Sequence, residues 1–253
     1  MLRFPRLAPA RRNERVQRWS LRLLRILAIR LEVSGNLTPG STPVMIVANH
    51  VSWLDVYALN AVCPAHFVAK SEIGRWPVLG LFARRSGTVF VERARKRDLL
   101  RVNAQITSLL HAGAMVAVFP EGTTTEGSGV LPFRPPLLQP AVDCDARVQA
   151  VAIRYERADG SLCREACFVG DTTFGTAMWL VLRQPAIRAR LQFLPPLTSG
   201  GRHRRDLARS AAQGVAGALA LRAAHVAQDA QPGATPASGE DDCALPAHTR
   251  IPA

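Results

Sequence analysis

The stretch Val44–Asp55, VMIVANHVSWLD, decides how this chain is read. Its first five residues, VMIVA, have the length and composition of a buried strand, and Ser52-Trp53-Leu54-Asp55 has the spacing of a helix N-terminus. A buried strand that runs straight into a helix is half of a βα unit, which points to an α/β fold. His50 falls in the turn between the two elements. Asp55, five residues further on, cannot share a regular helix face with it, because each helical residue advances about 100°. His50 therefore precedes the helix while Asp55 occupies its first turn. One reading of the pair is local: Ser52 caps the helix, Asp55 reaches back to the first free amides, and His50 is only a loop residue. The other sets an imidazole beside a carboxylate at a strand end, where sites in parallel sheets gather.

Outward from this stretch the same rhythm continues. Short apolar runs at 66–69, 88–92, 114–119, 148–155, 165–170 and 190–194 read as further buried strands, and helical patterns at 52–62, 96–111, 173–184 and 203–227 separate several of them. This alternation predicts a single domain over 35–227 with a central mixed, largely parallel sheet flanked by helices. Residues 122–146 form a long connection rich in Gly and Thr, then Pro, as binding loops often are. The segment WPVLGLF at 76–82 reads as ordinary core or as the lining of an apolar tunnel. The Ala-, Pro-, Gly- and Ser-rich tail from 228 to 253 is expected to be disordered.

The formal net charge is +13, and Lys70 and Lys96 are the only lysines, so arginine carries nearly all of it. Nine arginines lie within the first thirty residues. Over 13–31 the apolar Val16, Trp19, Leu23, Leu24, Ile26, Leu27 and Leu31 gather largely on one side of a helix and Arg15, Arg18, Arg22 and Arg25 largely on the other. Residues 1–34 are therefore expected to form a basic amphipathic segment that lies in an anionic membrane surface, the alternatives being a helix packed on its own domain or a transit peptide. No run of roughly 20 uncharged residues is present to span a bilayer. Aromatic residues make up 6% of the chain and no recognised nucleic-acid motif occurs, so the charge is assigned to lipid rather than nucleic acid. The five cysteines have no zinc spacing and are read as reduced thiols of a cytosolic-side protein without a metal.

Three strand ends carry the chemistry. The first presents His50 and Asp55, the run GTVFVER (87–93) presents Arg93, and the strand over 114–119 ends in Pro120-Glu121-Gly122-Thr123. A histidine can take a proton near neutral pH and return it, and a carboxylate on its other ring nitrogen selects the tautomer and stabilises the imidazolium. Arginine can hold a phosphate by two parallel bonds, which lysine cannot.

The ordered blocks Asn49–Asp55 (Asn-His-x-x-x-x-Asp), Gly87–Arg93 (Gly-x-Val-Phe-Val-x-Arg) and Phe119–Thr123 (Phe-Pro-Glu-Gly-Thr) resemble those of the 1-acylglycerol-3-phosphate O-acyltransferases and the wider glycerolipid acyltransferases. A fourth block corresponds to Val148–Ile153, with Ala150 where that family usually has proline. The resemblance covers residues 35–200. It implies that His50 is the general base, Asp55 its partner, Arg93 a phosphate ligand, and Glu121, Gly122 and Thr123 part of acceptor binding. It further implies transfer of a fatty acyl group from acyl-CoA or acyl carrier protein to the free hydroxyl of a lysophospholipid, most simply 1-acyl-glycerol-3-phosphate, with a lyso-ornithine lipid or other lysolipid as the alternative acceptor. No cofactor is required, and the expected place is the cytoplasmic face of a bacterial inner membrane. A basic, non-catalytic lipid- or nucleic-acid-binding protein is the rival class, and the paired His50 and Asp55 argue against it. On this reading His50→Ala and Asp55→Ala each abolish acyl transfer and leave the fold intact.

Overall fold

In a computed structural model, the structure describes residues 8–37, 42–70, 80, 88–91 and 96–229. In chain order the helices are α1 (Pro9–Ile26), α2 (Asp55–Val62), α3 (Lys96–His111), α4 (Gln139–Asp143), α5 (Phe174–Leu182) and α6 (Arg204–Asp229). The strands are β1 (Ile29–Ser34), β2 (Val44–Ala48), β3 (His66–Lys70), β4 (Val89–Val91), β5 (Val116–Val118), β6 (Arg147–Glu156) and β7 (Ile187–Phe193). Among the described residues they form one seven-stranded sheet in the order β1-β7-β6-β2-β5-β3-β4. Every ladder is parallel except β6 with β7. The expected mixed, largely parallel sheet flanked by helices is the architecture found.

Period-two alternation divides the core into two layers. Ile46 and Ala48 of β2, with Val151, Ile153 and Tyr155 of β6, face a layer that includes Leu24 of α1, Leu59 of α2 and Ala177 of α5. Met45 and Val47, with Val148, Ala150 and Ala152, face Ile106 of α3, Ala141 of α4, and Leu207 and Val215 of α6. Strand β6 is buried along nine of its ten residues, as a central strand covered on both faces must be.

Two sequence expectations are corrected, over 29–34 and over 165–170. Residues 29–34 are not part of a separate N-terminal segment: they form β1, in parallel register with β7 from Ile29↔Ile187 to Ser34↔Gln192. Much of the apolar stripe of α1 is covered by the domain itself, since Val16, Leu24 and Leu27 are buried, Trp19 packs on Tyr57 of α2 at 5.5 Å, and Gln17 Nε2 donates to the Ala61 carbonyl at 3.1 Å. Burial against α2 and burial in lipid demand the same stripe, so the pattern alone does not separate them. Residues 165–170 are not a strand either. Arg164–Ala166 is a short 3-10 turn, and the Phe168 amide bonds to the Val51 carbonyl at 2.9 Å instead of to a neighbouring strand. The arginine-rich stretch 92–95, the segment 71–79 and 81–87, and the tail from 230 lie outside the described residues. So, therefore, do Arg93, nearly all of WPVLGLF and the expected disorder of the tail.

Candidate active site

Strand β2 ends one residue before a side chain that continues its hydrogen bonding. Asn49 donates from Nδ2 to the Ile153 carbonyl at 2.9 Å and accepts the Ile153 amide on Oδ1 at 2.8 Å. A primary amide offers both a donor and an acceptor, so it substitutes for one residue of backbone ladder on β6 while the main chain turns away. That departure carries His50 off the carboxyl end of β2, between the strand and α2.

The turn is held by Asp55, which is fully buried. Its Oδ2 accepts the Val51 amide at 2.8 Å, the Ser52 amide at 2.9 Å and His50 Nδ1 at 2.7 Å. Its Oδ1 accepts the Tyr155 hydroxyl at 2.8 Å. The acidic half of the anticipated capping arrangement is therefore present and the serine half is not: the helix begins at Asp55 with Leu54 at its N-cap and no side-chain cap. Oδ2 is shared between two backbone amides and the imidazole, so the same carboxylate that closes the turn orients the ring.

His50 is held on its other sides as well. Its ring stacks on Phe119 with centroids 4.0 Å apart and planes 8° apart. Its amide donates to Glu121 Oε1 at 2.8 Å, and its carbonyl accepts the Thr125 amide at 2.8 Å. The His50 side chain is 22% exposed against 0% for Asp55, so the imidazole meets solvent while its partner does not. With Nδ1–H given to Asp55, the Nε2 lone pair is the one left to receive a proton.

Glu121 is a bracket between two loops. Its second oxygen accepts the Leu131 amide at 3.0 Å, and the Arg134 amide bonds to the Pro120 carbonyl at 2.9 Å. Burial pushes the Glu121 carboxyl up from the ordinary glutamate value, outweighing the bonds from the Leu131 and His50 amides. Tyr155 is pushed up further, by burial and by the neighbouring Asp55 charge, and stays a protonated donor to Asp55. Gly122 adopts φ +79°, and a Cβ built on it would stand 2.8 Å from Cζ of Arg134. The exposed Arg134 guanidinium thus lies over this turn, with no ion-pair partner among the described residues.

Of the residues singled out from the sequence, His50, Asp55, Glu121 and Gly122 come together at the ends of β2 and β5. Thr123 is exposed on the same loop; the threonines that touch the site are Thr124, which donates to the Phe168 carbonyl, and Thr125. Arg93 lies outside the described residues, though β4, which precedes it, is parallel to β3 in the same sheet. Asn49, Phe119, Tyr155 and Arg134 were not assigned roles from sequence. Tyr155 had a signal, because alternation along β6 puts it with Val151 and Ile153 on the α2 side of the sheet. Among the described residues no group of three or more His, Cys, Asp or Glu could hold a metal. Such an arrangement can deprotonate a hydroxyl presented to His50 Nε2 and return the proton to a leaving group.

The acyltransferase family model matches residues 30–154. The 1-acyl-sn-glycerol-3-phosphate acyltransferase of Neisseria meningitidis is 38% identical over 186 residues, covering 74% of this chain and 72% of that protein. The lyso-ornithine lipid O-acyltransferase of Pseudomonas aeruginosa is 38% identical over 208 residues, covering 82% and 79%. Among solved structures, the 1-acyl-sn-glycerophosphate acyltransferase PlsC of Thermotoga maritima has the same fold, with TM-score 0.62 at 22% identity over 84% of this chain and 80% of that one.

Proposed function

This chain belongs to the acyltransferase family and is an O-acyltransferase, and from that premise we propose that it moves a fatty acyl group from an acyl thioester to the free hydroxyl of a lysophospholipid. The observation that carries the reading is the 2.7 Å bond from His50 Nδ1 to the buried Asp55, which leaves Nε2 of a solvent-reaching ring as base. The acceptor hydroxyl gives its proton to Nε2 as its oxygen attacks the thioester carbonyl. The tetrahedral intermediate then collapses, the carbon–sulfur bond breaks, and the imidazolium returns the proton to the departing thiolate. Asp55 stabilises the imidazolium between these steps, and the enzyme forms no covalent bond.

The preferred acceptor is 1-acyl-glycerol-3-phosphate, with acyl-CoA or acyl carrier protein as donor and no cofactor. Arg93 serves as phosphate ligand, and Arg134, over Gly122 and without an ion-pair partner among the described residues, supplies a second cation to the same anion. Glu121, Gly122 and Thr123 shape that end of the acceptor site. A lyso-ornithine lipid is the second reading, favoured by the relative from Pseudomonas aeruginosa, which matches over the longer stretch. The protein works at an anionic membrane surface on the cytoplasmic side; among the described residues no helix is long and apolar enough to cross a membrane. Purified protein supplied in turn with lysophosphatidate and lyso-ornithine lipid, and with acyl-CoA and acyl carrier protein thioesters, tests this reading. Product phosphatidate from the first acceptor is expected. Exclusive use of the second would transfer the assignment to it, and transfer to neither would refute the proposal.

A further inference from the structure

Helix α5 has a composition that its surroundings do not explain. The nine residues FGTAMWLVL contain no charge, yet only Ala177 and Val181 are buried. Trp179 is 54% exposed and Leu182 57% exposed, while Phe174, Met178 and Leu180 are partly exposed. A helix that is apolar all round is ordinarily buried in a core or in lipid. Here one edge of α5 rests on the core and the rest faces outward. The guanidinium of Arg183, one residue beyond the helix, sits 4.3 Å from the centroid of the Trp179 ring. A tryptophan beside an arginine on an apolar face is the pairing found at membrane interfaces, where the ring lies among headgroups and the cation meets phosphate.

The position of α5 gives this face a use. Phe174, its first residue, meets Trp53 with ring centroids 5.1 Å apart, and Trp53 lies in the turn that Asp55 closes after His50. The same side of the sheet carries α1, whose Ile26 is 67% exposed and whose Arg22 and Arg25 are exposed beside it. With a net charge of +13 and no acidic residue in α5, this side suits an anionic surface better than another copy of an equally basic chain.

We propose that the exposed face of α5, Trp179 and Leu182 with Arg183, is the surface by which the protein docks on an anionic lipid bilayer and brings the His50 end of the sheet to acceptors held there. The inference rests on the lysolipid reading for its purpose and on α5 for its evidence. It moves the docking surface from α1, much of whose apolar stripe is already buried, to a helix with an uncovered apolar face.

The test is flotation of the full chain with phosphatidylcholine vesicles with and without phosphatidylglycerol, together with turnover on a vesicle-embedded and on a short-chain, monomeric lysophosphatidate. For the double variant Trp179→Ser, Leu182→Ser, binding to phosphatidylglycerol vesicles should fall roughly tenfold or more, with turnover on the monomeric acceptor kept and turnover on the embedded acceptor lost in step. Arg183→Gln should weaken binding to anionic vesicles alone. Leu221→Ser, at a leucine of α6 that is 65% exposed on the opposite layer, should change nothing. Wild-type flotation by the double variant overturns the proposal, as does wild-type flotation accompanied by a halved solution mass, which would make the face a dimer contact. A wild-type protein that floats but acylates no lysolipid would sink the acyl-transfer reading and leave the docking surface standing.

Discussion

Asp55→Asn separates the chemistry of the dyad from the architecture that holds it. The carboxylate accepts four donors, from His50, Val51, Ser52 and Tyr155, at 2.7 to 2.9 Å. Asp55→Ala would leave three buried donors, the Val51 and Ser52 amides and the Tyr155 hydroxyl, without an acceptor, at roughly 1–3 kcal/mol each before relaxation, and would free the part-exposed imidazole. The expectation that the alanine variant keeps its fold intact therefore does not survive the structure. Asparagine has one oxygen and one amide nitrogen to place. The two backbone amides at Oδ2 repel an NH2 group, so the oxygen goes there and the nitrogen turns to Tyr155, whose hydroxyl can rotate and accept. The imidazole then keeps its Nδ1–H bond and its tautomer, and only the negative charge is lost.

The size of that loss follows from the geometry. Two unit charges at about 4 Å interact by about 4 kcal/mol at the effective dielectric of a protein site, and each 1.36 kcal/mol is about tenfold in rate. Asp55→Asn should therefore lower kcat by about 10³-fold, with stability reduced by about 2 kcal/mol as charge-assisted bonds become neutral ones. Release of free thiol from an acyl thioester, followed continuously at saturating lysophosphatidate, measures the rate; circular dichroism and a thermal melt establish the fold. A folded Asp55→Asn protein within tenfold of the wild-type rate would refute the reasoning and leave Asp55 as the anchor of a turn.

Four further outcomes are expected. Tyr155→Phe removes one bond to a buried charge and should cost about 2 kcal/mol in denaturant unfolding while changing kcat less than tenfold, since the His50 contact is untouched. Gly122→Ala forces a side chain into φ +79° and against the Arg134 guanidinium; KM for the acceptor should rise, with about 1–2 kcal/mol lost in stability. Arg93→Lys should raise the acceptor KM in steady-state kinetics far more than Arg95→Lys or Arg97→Lys, because the planar fork and not the charge is removed. Glu156→Gln should destabilise by about 3–5 kcal/mol, because the buried carboxylate receives Arg154, Arg190 and Arg222 at 2.6 to 3.1 Å. Burial raises the Glu156 carboxyl, but the bonds from Arg222 and Arg190 outweigh it and hold it below the ordinary 4.5, so its stabilisation is present above that value and is lost as pH falls through the folded value. Melts of both proteins from neutral to acidic pH should converge.

The elements legible in the sequence were those whose surroundings are symmetric. Strands β2 and β6 are covered on both faces, so unbroken apolar runs announce them. Strand β1, IRLEVS, is an edge strand with mixed burial, and its charged Arg30 and Glu32 hid it inside a helical pattern. The run at 165–170 misled for the opposite reason. Ala166 and Cys167 are apolar because they fill the core beneath α5, and burial of a short run does not specify extended backbone. In the site, the residues that touch through side chains fixed by local spacing, His50 and Asp55, were legible. Tyr155 stands 100 residues from its partner, and Arg134 is tied to Gly122 by a loop closure that no local periodicity encodes.

The two readings of Asp55, helix anchor and proposed catalytic partner, are compatible in this geometry, since one carboxylate oxygen meets both the turn amides and the imidazole. A carboxylate free to rotate would have to be ordered each time the imidazole took a proton. Here the Val51 and Ser52 amides fix Oδ2 and the Tyr155 hydroxyl fixes Oδ1, all from positions that exist for folding reasons: the start of α2 and the inward face of β6. The ring is fixed in turn by the stack on Phe119 at the end of β5 and by the Glu121 bond to its own amide. Preorganisation of this kind lowers the barrier because the dipoles need not move as the charge appears. The same bonds stabilise the turn and prepare the base, so any substitution that loosens the turn is expected to slow the chemistry as well, and Asp55→Asn is informative because it loosens it least.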